Sequence, residues 1–218
     1  MVEDYYFYPG PLLSFILAIV LSLYLFQKIL FIFPKCKKNT LNHRGFTTII
    51  AHRGSRAEGI PENSIASFRN AIKAGVTTIE CDVWLTADGE LVVHHDKTLT
   101  RMTGGKCTST VESLNLNELP RLSTSLTGQS DEKHCSKYEY DEITKIPLFE
   151  DVLKLLVMNP RISMIIEFKS ENDTSIEKVS NLLERYGKKG DVLWFSLKDH
   201  MNKKLRKWDP SIPSKINS

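Results

Sequence analysis

The sequence predicts an α/β domain built on a parallel sheet, preceded by one membrane-spanning helix. Three observations carry that expectation. Short β-branched runs alternate with stretches of helical spacing, the pattern of successive βα units. Clusters of His, Arg, Asp and Glu stand at the C-terminal ends of those runs. An apolar stretch near the start is hydrophobic on every side instead of along one stripe. Over 218 residues, 41% hydrophobic and 25% charged residues match a folded globular chain and exclude a disordered tail, a collagen or a coiled-coil rod.

Residues 1–34 read as an N-terminal membrane anchor with its helix over about 12–33. At about 1.5 Å per residue that helix reaches about 33 Å, enough for a hydrocarbon layer of about 30 Å. Lys28 lies near one end, where its ammonium can snorkel to the headgroups, and Tyr5, Tyr6 and Tyr8 fit an interfacial belt. A cleaved signal peptide would start with basic residues, whereas Glu3 and Asp4 stand there. Residues 35–46 form a basic linker in which Lys35, Lys37, Lys38 and Arg44 have no acidic neighbour. Positive charge on that side predicts that everything after the helix stays in the cytosol, and the expected location is single-pass in the endoplasmic reticulum or another endomembrane. Because the net charge is only +3 and the basic excess sits in the linker, a nucleic-acid-binding face is excluded. Cys36, Cys81, Cys107 and Cys135 lack a repeated spacing, which fits neither a disulfide framework nor a zinc ribbon.

Residues 47–218 form the folded domain. Thr47 to Ala51 reads as the first strand, and Asn63 as the cap of a helix running to about Ala74. Val76 to Thr86 is the second strand, and Asp88-Gly89 turns the chain back into Leu91 to His94. Residues 103–144 are polar and read as an insertion or lid. Phe149 to Met158 is a helix, Ile162 to Phe168 a third strand, and Ile176 to Tyr186 another helix. Val192 to Ser196 is a fourth strand, followed by a basic helix to about Trp208.

Five short clusters carry the chemistry: His52-Arg53-Gly54, Pro61-Glu62-Asn63, Glu80-Cys81-Asp82, His95-Asp96 and Glu167-Phe168-Lys169. The two-residue period of a strand puts Glu80 and Asp82 on one face, and Glu167 adds a third carboxylate from another strand. Carboxylates this close repel unless a cation joins them, and hard oxygen donors without thiolates favour Mg2+, Ca2+ or Mn2+ over zinc. Arg53 and Lys169 suit phosphate oxygens, and His52 and His95 can exchange protons near neutral pH. The set points to metal-assisted phosphoryl transfer. Other residues have plainer readings: His94 and Cys81 point away from the cluster, Glu62 orders a helix start or reaches the ion, and His43, His134 and His200 are exposed and without companions.

The order His-Arg-Gly, Pro-Glu-Asn, Glu-x-Asp, His-Asp and Glu-x-Lys resembles the glycerophosphodiester phosphodiesterase family, over roughly Ile49 to Ser196. The resemblance implies a (β/α)8 TIM barrel with its site at the C-terminal strand ends, of which this sequence holds about the first four βα units. It implies acid-base roles for His52 and His95, a divalent ion on Glu80, Asp82 and Glu167 with His95 as a further contact, and phosphate binding by Arg53 and Lys169. With the anchor, the chain is most similar to the branch that acts as a lysophospholipase D on lysophospholipids or glycerophosphodiesters at a bilayer. Related histidine and carboxylate sets occur in sphingomyelinase D and phosphatidylinositol phospholipase C. A sequence that ends about where a fifth strand should begin also raises a completing or oligomeric partner chain, or an inactive regulatory isoform.

The sequon Asn172-Asp173-Thr174 tests the topology. With the domain in the cytosol, peptide N-glycosidase leaves the electrophoretic mobility of the chain from cells unchanged; a downward shift would place the domain in the lumen.

Overall fold

The computed structural model describes residues 14–15, 17–25, 49–55, 57, 59–127 and 138–214. The chain divides into two units, Met1–Asn42 and His43–Ser218. In the first, residues 14, 15 and 17–25 are helical and exposed, and the rest of the expected span lies outside the described residues, as does the whole basic linker. Among the described residues no helix is long and apolar enough to cross a membrane.

The second unit is built on β1 (Ile50–His52), β2 (Thr78–Leu85), β3 (Leu91–Val93), β4 (Ser163–Phe168) and β5 (Val192–Phe195). β1, β2, β4 and β5 are parallel and lie side by side in that order, as βα units require. β3 returns antiparallel to β2, running along it past the point where β1 ends. The helices are α1 (Ile65–Lys73), α2 (Tyr140–Thr144), α3 (Phe149–Met158), α4 (Asp173–Arg185) and α5 (Asp199–Trp208). Beyond α5 the chain comes back to the sheet, where Trp194 donates to the Pro213 carbonyl at 3.0 Å and bridges Ser214 in parallel. Among the described residues these strands form an open sheet, not a closed barrel.

All eight residues of β2 are buried, because both its faces are used. Ile79, Cys81 and Val83 join Met164, Ile166, Phe168, Val192 and Trp194 against the apolar faces of α1, α3, α4 and α5. The alternate residues, Glu80, Asp82 and Glu167, face the other way. Phe168 and Trp194 pack edge to face, with ring centroids 5.9 Å apart. A second apolar cluster of Trp84, Val92, Leu99, Met102, Val111, Leu122 and Ile146 anchors the segment after β3. The expected insertion at 103–144 is therefore packed through its described part, as single-turn 3-10 helices and α2 rather than a free lid; residues 128–137 lie outside the described residues.

Several boundaries differ from expectation for local reasons. Helix α1 is capped by Ser64, whose hydroxyl accepts from the Ser67 amide, and not by Asn63. Helix α4 starts at Asp173, earlier than its apolar spacing suggests, because the Asn172 side chain accepts from the Thr174 amide. Strand β1 is described only from Ile50, and Thr47 and Thr48 lie outside the described residues.

Gly54 sits between β1 and α1 with φ of 80°. A Cβ there would lie 2.8 Å from the Ser67 carbonyl carbon, a backbone atom that cannot give way. Gly54→Ala is expected to cost about 2–4 kcal/mol, from the left-handed backbone and the clash together, read as a lowered urea midpoint of the full chain. An unchanged midpoint would contradict this packing.

Candidate active site

Strand pairing builds the acidic cluster directly. Asp82 stands opposite Glu167 across the β2–β4 ladder, Glu80 precedes Asp82 by one side-chain period, and His52 stands opposite Glu80 across β1–β2. A carboxylate oxygen from each of Glu80, Asp82 and Glu167 lies within 4.8 Å of the others, and all three residues are buried. Burial, reinforced by the neighbouring Asp82 charge, pushes the Glu80 carboxyl up to about 8. Glu80 Oε1 and Asp82 Oδ1 are buried and accept no hydrogen bond, although the Lys169 ammonium lies 3.2 Å from the latter as an ion pair. Lys169 also donates to Glu167 Oε1 at 2.5 Å. Two cations, Arg53 and Lys169, thus face three carboxylates, and two buried oxygens accept no hydrogen bond. That donor set fits a hard divalent cation. Among the described residues, Glu62 and His95 lie outside the cluster, so the expectation that either ligates the ion finds no support in it.

The backbone around the cluster is held in an uncommon shape. Arg53 and Asn63 are both left-handed, with φ of 62° and 58°. Each is latched: the Arg53 carbonyl accepts from the Asn63 amide at 2.9 Å and from the Ser67 hydroxyl at 3.2 Å. The Arg53 amide donates to Glu80 Oε2 at 2.9 Å, and Asn63 Nδ2 donates to Asp82 Oδ2 at 2.8 Å. Asn63 is therefore a carboxylate partner, not a helix cap. Arg53 reaches inward, with Nε 3.5 Å from Asp82 Oδ2 and Nη1 donating to Glu62 Oε1 at 3.0 Å. His52 Nε2 stands 3.9 Å from Glu80 Oε2, and its side chain is more than half exposed.

His95 follows β3, where Trp84 Nε1 donates to its carbonyl at 3.3 Å. Its ring Nδ1 lies 2.6 Å from Asp96 Oδ1. Burial raises the Asp96 carboxyl, but hydrogen bonds from Arg101 and His95 outweigh that and bring it down to about 2. An ionised carboxylate only accepts, so Nδ1 carries the hydrogen and Nε2 is the nitrogen left to exchange a proton with a substrate. Arg101 Nε donates to Asp96 Oδ2 and Arg101 Nη2 to Glu62 Oε1, both at 2.7 Å. Burial raises the Glu62 carboxyl, and the hydrogen bonds from Arg101 and Arg53 bring it below its usual range. Glu62 precedes α1, and its side chain joins two arginines.

The remaining readings sort as follows. His94 is buried with its Nε2 3.5 Å from the Thr98 carbonyl, and Cys81 is a buried thiol 3.8 Å from the Met164 sulfur, pushed up by burial. His200 is exposed, as expected, but has a companion in Glu171 at 2.9 Å. His43 and His134 lie outside the described residues. Sequence reasoning passed over Arg101, whose one local signal was its position five residues after Asp96.

The family model described as the glycerophosphoryl diester phosphodiesterase family matches residues 52–209. The chain is 30% identical to lysophospholipase D GDPD1 of Homo sapiens over 201 residues, 92% of this chain and 61% of the relative. It is 38% identical to a glycerophosphodiester phosphodiesterase of Bacillus altitudinis, over 57% of this chain and 46% of that one. A crystal structure of a glycerophosphodiester phosphodiesterase from Agrobacterium tumefaciens superposes with a TM-score of 0.63 at 26% identity, covering 78% of this chain and 67% of that one. The chain thus spans about three-fifths of the length of the human relative.

The raised Glu80 carboxyl has a stability consequence in the presence of chelator. The folded chain keeps a proton on Glu80 that the unfolded chain releases between the ordinary value of 4.5 and about 8. Stability is therefore lost as pH rises through that window. Thermal unfolding in EDTA is expected to show Glu80→Gln gaining on wild type as pH rises from 5 to 8; a constant difference would contradict the buried, crowded carboxyl.

Proposed function

The chain belongs to the glycerophosphoryl diester phosphodiesterase family, and from that premise we propose that it hydrolyses glycerophosphodiesters, with lysophospholipids as its substrates and lysophosphatidic acid plus a head-group alcohol as products. The observation that carries the reading is the buried Glu80, Asp82 and Glu167 cluster with His52, Arg53 and Lys169 around it. The relatives named lysophospholipase D and glycerophosphodiester phosphodiesterase support the substrate class.

Glu80, Asp82 and Glu167 would hold a divalent ion, Mg2+ or Ca2+, which when bound would supply Lewis-acid charge to the phosphoryl group. Arg53 and Lys169 are placed to share their hydrogen bonds with a phosphate, the guanidinium through its planar fork and the ammonium as a point charge. The free glycerol hydroxyl of the substrate attacks phosphorus and passes its proton to His52. The bond from phosphorus to the head-group oxygen breaks, and that oxygen takes the proton from His95 Nε2. Water then opens the resulting cyclic phosphate with the two histidines in exchanged roles. A diacyl lipid has no free hydroxyl and is not a substrate by this route.

The membrane placement is part of the same proposal. The apolar stretch 12–33, followed by the basic linker, is read as a single-pass anchor that holds the domain at the cytosolic face of an endomembrane, where lysolipids are presented.

Membranes carrying the full chain are expected to release choline from lysophosphatidylcholine with Mg2+ or Ca2+ and not with EDTA. His52→Ala and Asp82→Asn are each expected to lower release by at least about 100-fold, and phosphatidylcholine is expected to stay intact. Equal release by the variants, or equal turnover of the diacyl lipid, would overturn this mechanism.

A further inference from the structure

We propose that Arg101 is a positioning residue for the reaction, fixing the His95 imidazole through Asp96 and tying it to the carboxylate cluster through Glu62. The proposal rests on the phosphodiesterase reading above, in which His95 Nε2 protonates the leaving oxygen.

The contacts form one continuous rail. Asp82 faces Arg53, Arg53 donates to Glu62, Glu62 also accepts from Arg101, Arg101 donates to Asp96, and Asp96 accepts from His95. Glu62 Oε1 serves both arginines, at 3.0 and 2.7 Å, so moving either guanidinium disturbs the other. Asp96 uses one oxygen for His95 and the other for Arg101, which leaves its carboxylate no free rotation. Arg101 makes these bonds with two different nitrogens of one planar group, Nε and Nη2, a span that a lysine ammonium cannot reproduce.

The rail is anchored at both ends. Leu99 and Met102, on either side of Arg101, are buried in the cluster with Trp84 and Val92, and the Leu99 amide donates to the Ser109 carbonyl at 2.9 Å. The His94 amide donates to the Asp82 carbonyl at 3.0 Å, holding the chain just before His95 against β2. Arg101 itself keeps a half-exposed side chain, so its role is not to fill the core. An exposed arginine gives up side-chain entropy to stay in one rotamer, and here two charged hydrogen bonds, one to each of two carboxylates, hold it.

In the step served, the phosphorus to head-group oxygen bond breaks with its electron pair going to oxygen. That oxygen takes the Nε2 proton, and the imidazole becomes neutral with its Nδ1–H still donated to Asp96. Misplacing the ring therefore penalises leaving groups that need a proton, such as the choline alkoxide, and spares those that do not, such as p-nitrophenolate.

The test compares lysophosphatidylcholine with the lysolipid ester of p-nitrophenol, using membranes that carry the full chain as wild type, Arg101→Ala, Arg101→Lys, His95→Ala and the double variant with alanine at both positions. For Arg101→Ala, kcat on the choline ester is expected to fall by about 10- to 100-fold with KM unchanged, while kcat on the p-nitrophenyl ester falls less than about 3-fold. Adding Arg101→Ala to His95→Ala is expected to cause no further loss. If the alanine variant fails to fold, Arg101→Lys carries the same comparison, with the same selective loss on the choline ester expected. Equal losses on the two esters, no loss on either, or a loss that adds to that of His95→Ala overturns the proposal while the phosphodiesterase reading stands. A wild-type chain that cleaves neither ester removes that reading and the proposal together.

Discussion

Glu80, Asp82 and Glu167 project from neighbouring strands onto one buried face of the sheet, close enough that their charges repel through a medium from which water is largely excluded. Nothing apolar can relieve that repulsion, so the surrounding chain is organised around supplying positive charge and hydrogen-bond donors. The Arg53 amide, Asn63 side chain and Lys169 ammonium each meet one of the carboxylates. What remains without a hydrogen bond, Glu80 Oε1 and Asp82 Oδ1, is where a divalent ion would be held.

The opposite face of the same strands explains why such a cluster can be held. Ile79, Cys81, Val83, Met164, Ile166 and Phe168 bury against helices, and the alternation of a strand forces their neighbours to the other side. The apolar packing thus fixes the register that brings Asp82 opposite Glu167. Two left-handed residues, Arg53 and Asn63, bring donors in from the β1–α1 connection, and the glycine beside Arg53 lets α1 approach closely enough to latch that turn. Strain of this kind persists when several hydrogen bonds over-determine it, and here they do. The second apolar cluster plays the corresponding part for His95 and Arg101, so both halves of the site stand on packed supports.

Much of this was legible in the sequence because it depends on short-range pattern. The Glu-x-Asp and Glu-x-Lys spacings place carboxylates by period alone, and α3 was readable at both ends from its apolar spacing. Asn63 was misread because one side-chain amide can either cap a helix through its oxygen or donate to a carboxylate through its nitrogen, and only the fold shows that Ser64 takes the capping role. The packed part of the insertion was hidden because Met102, Val111 and Leu122 are isolated apolar residues in irregular turns, with no period to betray a shared core. Arg101 was invisible for a different reason: its partner Glu62 lies 39 residues earlier, and no local rule joins an arginine in one loop to a glutamate in another.

The central claim is that the three carboxylates form a divalent-cation site. Its most direct test is anomalous diffraction from crystals of the chain grown with Mn2+, an ion with a strong signal and the same oxygen preference as Mg2+. The account predicts a single strong peak in contact with Glu80, Asp82 and Glu167, lost in Asp82→Asn crystals. No peak at that position with Mn2+ at saturating concentration, or one bound only at other groups, would contradict it.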